Sequence, residues 1–146
     1  MADTRTSFSV NVSIDAPPGE VWRIMSDVER WHLWTPSIKR IRRLDRGEFA
    51  VGSRALVFQP RLPPAIWRVT SLEPGRGFTW VSSGPGIRVT GLHQVEPAHA
   101  GSAVTLSLTY EGALAVVAAR ILGAITDRYL GWEAAGLKKQ SESRVS

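Results

Sequence analysis

A chain of 146 residues suits one domain with little room for a second, yet it is long enough to bury a real core. It has no cysteine, which excludes disulfides and thiolate metal sites, so packing and backbone hydrogen bonds must hold the fold. The formal net charge of +5, from 18 Lys plus Arg against 13 Asp plus Glu, does not by itself name a partner.

Met1 to Ser7 is polar and shows no secretory signal. The longest apolar run, Ala113 to Ala119, falls far short of the roughly 20 residues that span a bilayer. A cytoplasmic location is the expectation.

Phe8, Val10, Val12 and Ile14 alternate with polar residues and predict a half-buried first strand. Pro17-Pro18-Gly19-Glu20 stops it and opens a helix carrying Val21, Trp22, Ile24 and Met25. Asp27 is placed to cap a second short helix that runs through Trp34 and ends at Pro36. Ile38 to Asp45 and Ser53 to Gln59 read as strands, followed by a proline-rich link at Pro60 to Pro64. Ala65 to Glu73, Phe78 to Ser83, Ile87 to Glu96 and Ala103 to Glu111 complete the set, separated by Pro/Gly turns. From Gly112 the period changes: Leu114, Ala118, Ile121, Ile125, Tyr129 and Trp132 recur every three or four residues. That stripe predicts a long helix to about Leu137, with 138–146 a frayed tail.

Strands joined by short turns imply an antiparallel meander. Its apolar face must be covered, and the terminal helix is the one long amphipathic element available. The expected architecture is α+β, one domain over 1–146. A curved antiparallel sheet of about seven strands has two short helices after the first strand and a long C-terminal helix over its concave face.

Phe8 to Trp22, Asp27 to Pro36, Val69 to Arg76, Thr79-Trp80, Gly91-Leu-His-Gln-Val-Glu-Pro97 and Val104 to Leu108 together carry a family likeness. The chain resembles the helix-grip superfamily (SRPBCC) of START-type lipid-transfer domains, birch-pollen-allergen-like proteins and polyketide cyclase/dehydrase proteins. The resemblance covers nearly the whole chain. It implies a cavity between sheet and helix for a small hydrophobic molecule, lipid-like or aromatic. Such superfamilies host carriers, receptors and enzymes alike, so fold alone leaves the function open.

Strand parity selects the candidate wall. Trp67 and Val69 share a face, as do Phe78 and Trp80, and Leu106, Leu108 and Tyr110; Leu56 and Phe58 are assigned to the same side. The helix is expected to add Leu114, Ala118, Ile121 and Ile125, and Trp31 and Trp34 to guard the mouth or pack the short helices. His93 shares parity with Val89, Gly91 and Val95 and is the candidate polar handle: a hydrogen-bond donor or, with Tyr110, a proton handler in a cyclase or dehydrase reaction. No pocket carboxylate pair is evident. His32, His93 and His99 lack metal-ligand spacing, no phosphate loop or nucleophile elbow occurs, and no cofactor is expected. The cluster Lys39, Arg40, Arg42 and Arg43 reads as the solvated face of a strand; its other reading is contact with a membrane or ribosomal surface in a regulatory protein. No nucleic acid is expected as partner, and monomer and homodimer both stay open.

Overall fold

The computed structural model describes residues 5–143. Strand β1 (Thr6–Ile14) leads into helix α1 (Pro18–Ser26) and a 3-10 turn at Val28–Leu33. Six strands follow: β2 (Arg40–Arg43), β3 (Arg54–Phe58), β4 (Ala65–Glu73), β5 (Gly77–Gly84), β6 (Ile87–Ala98) and β7 (Gly101–Glu111). Helix α2 (Ala115–Ser143) closes the chain. The seven strands form one antiparallel sheet in the order β1-β7-β6-β5-β4-β3-β2, so the first strand returns to pair with the last.

Local chemistry explains the elements. In β1 the residues Ser7 to Ser13 alternate between exposed and partly buried, as their polarity dictates. Pro17 is extended and Pro18 supplies the first helical residue, so α1 starts without any side-chain cap. Asp27 does not cap the 3-10 turn; its carboxylate instead pairs with Arg30 at 3.3 Å on the surface. Gly86 turns the chain between β5 and β6 at φ 76°, which an L side chain rarely adopts. Its carbonyl then accepts from the Leu114 backbone N–H at 2.9 Å, which fixes the approach to α2.

The inner face is legible as rows of cross-strand neighbours. One row is Val10, Leu106, His93 and Phe78. The next is Phe8, Leu108, Gly91, Trp80 and Val69. Beyond it lie Tyr110, Val89 and Ser82. The first row continues into a solid core with Val21, Met25, Val28, Val95, Val104 and Leu137, all nearly inaccessible. The middle row contains a glycine, and from there side chains become small or sparse.

Three expectations need correction. First, Leu56 and Phe58 lie on the outer face. Ala55 pairs with Trp67 and Val57 with Ala65, so Ala55 and Val57 point inward, while Leu56 stands opposite Ile66 and Phe58 opposite Arg40. Four consecutive apolar residues carry no alternation to set the parity.

Second, α2 is rotated by about one residue from the expected stripe. Its buried side is Thr126, Tyr129, Leu130, Glu133, Ala134, Leu137 and Ser141, whereas Leu114 and Ile121 are 50% and 73% exposed. Thr126 and Glu133 are polar, so counting apolar residues alone selects the wrong face.

Third, the segment from Lys138 is helical through Ser143, and residues 144–146 lie outside the described residues. The helix end is fastened. Lys138 Nζ donates to the Ser13 carbonyl at 2.9 Å and pairs with Glu142 at 2.6 Å, and Glu142 accepts from the Asp15 backbone N–H at 2.9 Å.

Two glycines of α2 test how closely the helix is seated. A Cβ on Gly136 would overlap the Trp34 carbonyl oxygen, whereas one on Gly131 meets nothing within 4 Å. Gly131→Ala should therefore stabilise the protein by about 0.5–1 kcal/mol through helix propensity. Gly136→Ala should destabilise it by roughly 1–3 kcal/mol despite the same propensity gain. Thermal melts of the two variants check this; the same sign for both would show that α2 is not pressed against the 3-10 turn.

Candidate functional site

Beyond the Gly91 row, α2 meets the sheet at Tyr110, through Thr126, and stands away from the strands beside it. Helix and sheet enclose a cavity of about 410 Å3. Trp67, Trp80, His93, Leu108, Tyr110 and Ile125 stand on its wall. Val69, Phe78 and Leu106 share the inner face but lie in the packed core, each 3% exposed or less, and do not reach the hollow. Ala118 is half-buried off the wall, and Leu114 packs on Gly86 at the rim. Ile121 points to water because of the helix rotation. Trp34 is also off the wall: it backs onto Gly136 on the far side of the 3-10 turn, and Trp31 takes the inward position.

Trp31 links core and cavity. Its Nε1 donates to the Met25 carbonyl at 3.0 Å, which locks the indole. The ring then lies 5.5 Å from Trp80 and 5.2 Å from His93. Trp80 in turn lies 5.7 Å from Trp67, which completes an aromatic wall. The absence of a side chain at Gly91 makes room for the Trp80 indole: an added Cβ there would sit 3.1 Å from it.

His93 is held by stacking. Its ring lies 4.3 Å from that of Phe78 with an interplanar angle of 10°, and meets Trp80 edge-on. Its Nδ1 is buried without a hydrogen-bond partner. Burial lowers the imidazole pKa from 6.5 to about 4, against a hydrogen bond to the Phe78 backbone that favours the charged form. At neutral pH His93 is a neutral ring and a weak base. The Tyr110 hydroxyl shares a 2.7 Å hydrogen bond with Thr126, and burial pushes its pKa up. The two expected proton handlers are thus both neutral at pH 7, and Tyr110 already spends its hydroxyl on a neighbour.

Sequence reasoning misses a third polar group. Glu133 of α2 lines the cavity, and its carboxylate accepts from Ser37 Oγ at 3.0 Å; Ser37 in turn shares a 2.8 Å bond with Thr35. Burial raises its pKa from 4.5 to about 7, against that hydrogen bond. The available signal is positional: Glu133 lies seven residues after Thr126 and four before Leu137, on the buried stripe. Tyr129 also closes the wall, its hydroxyl donating to the Pro60 carbonyl and tying α2 to the proline-rich link. Among the described residues no group of three His, Cys, Asp or Glu could hold a metal ion.

The basic cluster divides. Arg43 is folded back on the following loop, donating to the Gly47 carbonyl at 2.7 Å and pairing with Asp45 at 3.2 Å. Lys39, Arg40 and Arg42 stay exposed at the β2 end of the sheet, where charge discourages edge-to-edge pairing.

Residues 5–142 match the family described as polyketide cyclase / dehydrase and lipid transport. The chain belongs to that family. Solved structures share its helix-grip fold. The protein TTHA0849 from Thermus thermophilus superposes with a TM-score of 0.76 at 18% identity, over 97% of this chain and all of that one (100%). The Zhui aromatase/cyclase from Streptomyces sp. R1128 gives 0.75 at 18% identity, over 97% and 96% of the two chains. Ara h 8.0201 gives 0.58 at 15% identity, over 90% and 99%. No curated protein matches the chain in sequence. No helix among the described residues is long and apolar enough to cross a membrane.

His93 and Glu133 carry opposite pH penalties. The folded protein disfavours charged Glu133, so that penalty is absent below about pH 4.5 and grows until pH passes about 7. It disfavours charged His93, so that penalty is absent above pH 6.5 and grows as pH falls toward about 4. Across the overlap the two slopes oppose one another. Glu133→Gln should leave a stability that rises with pH in this window, and His93→Gln one that falls, each by up to about 3 kcal/mol. Urea unfolding of both variants across that window checks the signs; parallel profiles for the two would refute the assignment.

Proposed function

We propose that this protein binds a small hydrophobic molecule, aromatic or lipid-like, between its sheet and α2. The observation that carries the reading is the cavity of about 410 Å3, walled by Trp31, Trp67, Trp80 and aliphatic side chains with only a few polar handles. Its size and chemistry suit a small-molecule site. Family membership adds support, since the family description joins cyclases with lipid transport.

Covering about 250 Å2 of ligand apolar surface would contribute roughly 6 kcal/mol at ~25 cal/mol per Å2. Ordering costs offset part of that, so affinities are micromolar or weaker for an unoptimised hydrophobe.

A second reading is a cyclase-type reaction in which the cavity folds a polyketide-like chain and His93 or Tyr110 moves a proton. It is supported by the family description and by the likeness to the Zhui aromatase/cyclase. The low pKa of His93 and the engaged hydroxyl of Tyr110 make binding the better-supported role. If His93 is a base, His93→Ala lowers turnover of a polyketide-like substrate far more than it lowers binding.

Apolar polycyclic compounds and lipids should raise the melting temperature and quench tryptophan fluorescence. Native mass spectrometry should find a copurified hydrophobe. Ile125→Trp, which fills the hollow from α2, should weaken such binding by on the order of tenfold. An unresponsive protein across an apolar library would sink the proposal.

A further inference from the structure

The cavity wall is uneven in charge. Among the described residues that line it there is one carboxyl, Glu133, and no Lys or Arg. Glu133 is 9% exposed, and its carboxylate accepts from Ser37 through one oxygen, Oε2. No ion pair to Glu133 forms among the described residues. His93 cannot act as counter-charge, because burial keeps it neutral. On the same wall stand Trp31, Trp67 and Trp80, whose indole faces attract cations.

These features bear on the head group of whatever enters. A carboxylate would meet ionised Glu133 with no cation to offset the repulsion, or would have to draw a proton onto it first, and desolvation would add to its cost. A hydroxyl or phenol could donate to the carboxylate. A protonated amine would gain a charge-assisted hydrogen bond as well as the attraction of the indoles. We propose that the cavity selects apolar molecules carrying a hydrogen-bond donor, best a protonated amine, and rejects carboxylates, with Glu133 as the residue that reads the head group. This rests on the hydrophobic-binding reading and narrows its ligand class. Because the Glu133 carboxyl titrates near neutrality, a bound ammonium would draw it into the ionised form.

One skeleton with four head groups tests the idea: naphthalene, 2-naphthol, 2-naphthylmethylamine and 2-naphthoate, titrated by calorimetry slightly above neutral pH. The amine and the naphthol should bind more tightly than naphthalene, and the naphthoate most weakly. The amine and the naphthoate should differ by about tenfold or more. In Glu133→Gln the amine should lose most of its advantage over naphthalene, keeping only what the indoles supply, and the naphthoate should gain. The amide oxygen can still accept from Ser37, and a melting curve verifies folding.

Equal affinity for amine and naphthoate in the unmodified protein overturns the proposal, whatever the variant does. So does an undiminished amine advantage in a folded Glu133→Gln. Naphthalene separates the two levels of argument. If it binds without the ranking, only the role of Glu133 fails; if none of the four binds, the hydrophobic-binding reading fails with it.

Discussion

A sheet of seven strands has a wider inner face than one helix can cover. Strands about 4.8 Å apart make it roughly 29 Å across, whereas a helix with its side chains is about 10 Å wide. Curling the sheet reduces the mismatch but does not remove it. Helix α1 and the 3-10 turn fill one end, where Val21, Met25 and Val28 meet Phe78, Val95 and Val104 in a solid core. At the other end only α2 spans the gap, and the space beneath it stays open. The hollow follows from this geometry together with small residues such as Gly91 and Ser82 where larger ones would fill it.

The polar groups at the hollow are expensive. His93 keeps a buried Nδ1 without a partner, and Glu133 receives one neutral hydroxyl in exchange for its hydration. Apolar residues of similar shape would avoid both costs. His93 and Glu133 both stand on the cavity wall, although the His93 Nδ1 atom is itself buried beneath it. On the binding role proposed above, a molecule with its own donors would complement the Glu133 carboxyl. On that reading the apolar wall would set the size of a ligand and the few polar groups, Glu133 among them, its character.

Much of this is legible in the sequence because alternation and turn chemistry are local signals. The period of Ala65 to Glu73 and its flanking prolines bound that strand correctly, and Gly86 marks its turn by what only glycine tolerates. The likeness running from Phe8 through Leu108 then supplies the curvature that periodicity cannot. The misreadings have one physical origin. Where polarity and position disagree, a rule that sends apolar residues inward fails. Ala55 to Phe58 offers no polar residue to orient the strand. In α2, Thr126 and Glu133 face inward while Ile121 faces out, so the apolar stripe points one residue away from the true seam. Trp31 and Trp34 are chemically identical, and only the bond from Trp31 to the Met25 carbonyl tells them apart. The residues hardest to place from sequence are therefore those that give the cavity its chemistry.

The seating of α2 shows how the hollow keeps its height. Gly123 lets the ring of Phe8 approach, with an added Cβ only 3.3 Å from it, and Gly136 rests against the Trp34 backbone. These contacts are thirteen residues apart, about 20 Å along the axis. Between them lie Ile125, Thr126, Tyr129, Leu130 and Glu133, helical residues that look into the cavity. The helix thus acts as a beam on two close supports, with the open space under its span. Bulk added at either support would lift that end and tilt the face carrying Thr126 and Glu133. The Tyr110–Thr126 and Ser37–Glu133 hydrogen bonds tie the span to the walls on both sides, so a tilt would strain both together. Cavity height and polar geometry are in this way set by the same two glycines, neither of which touches the space it defines.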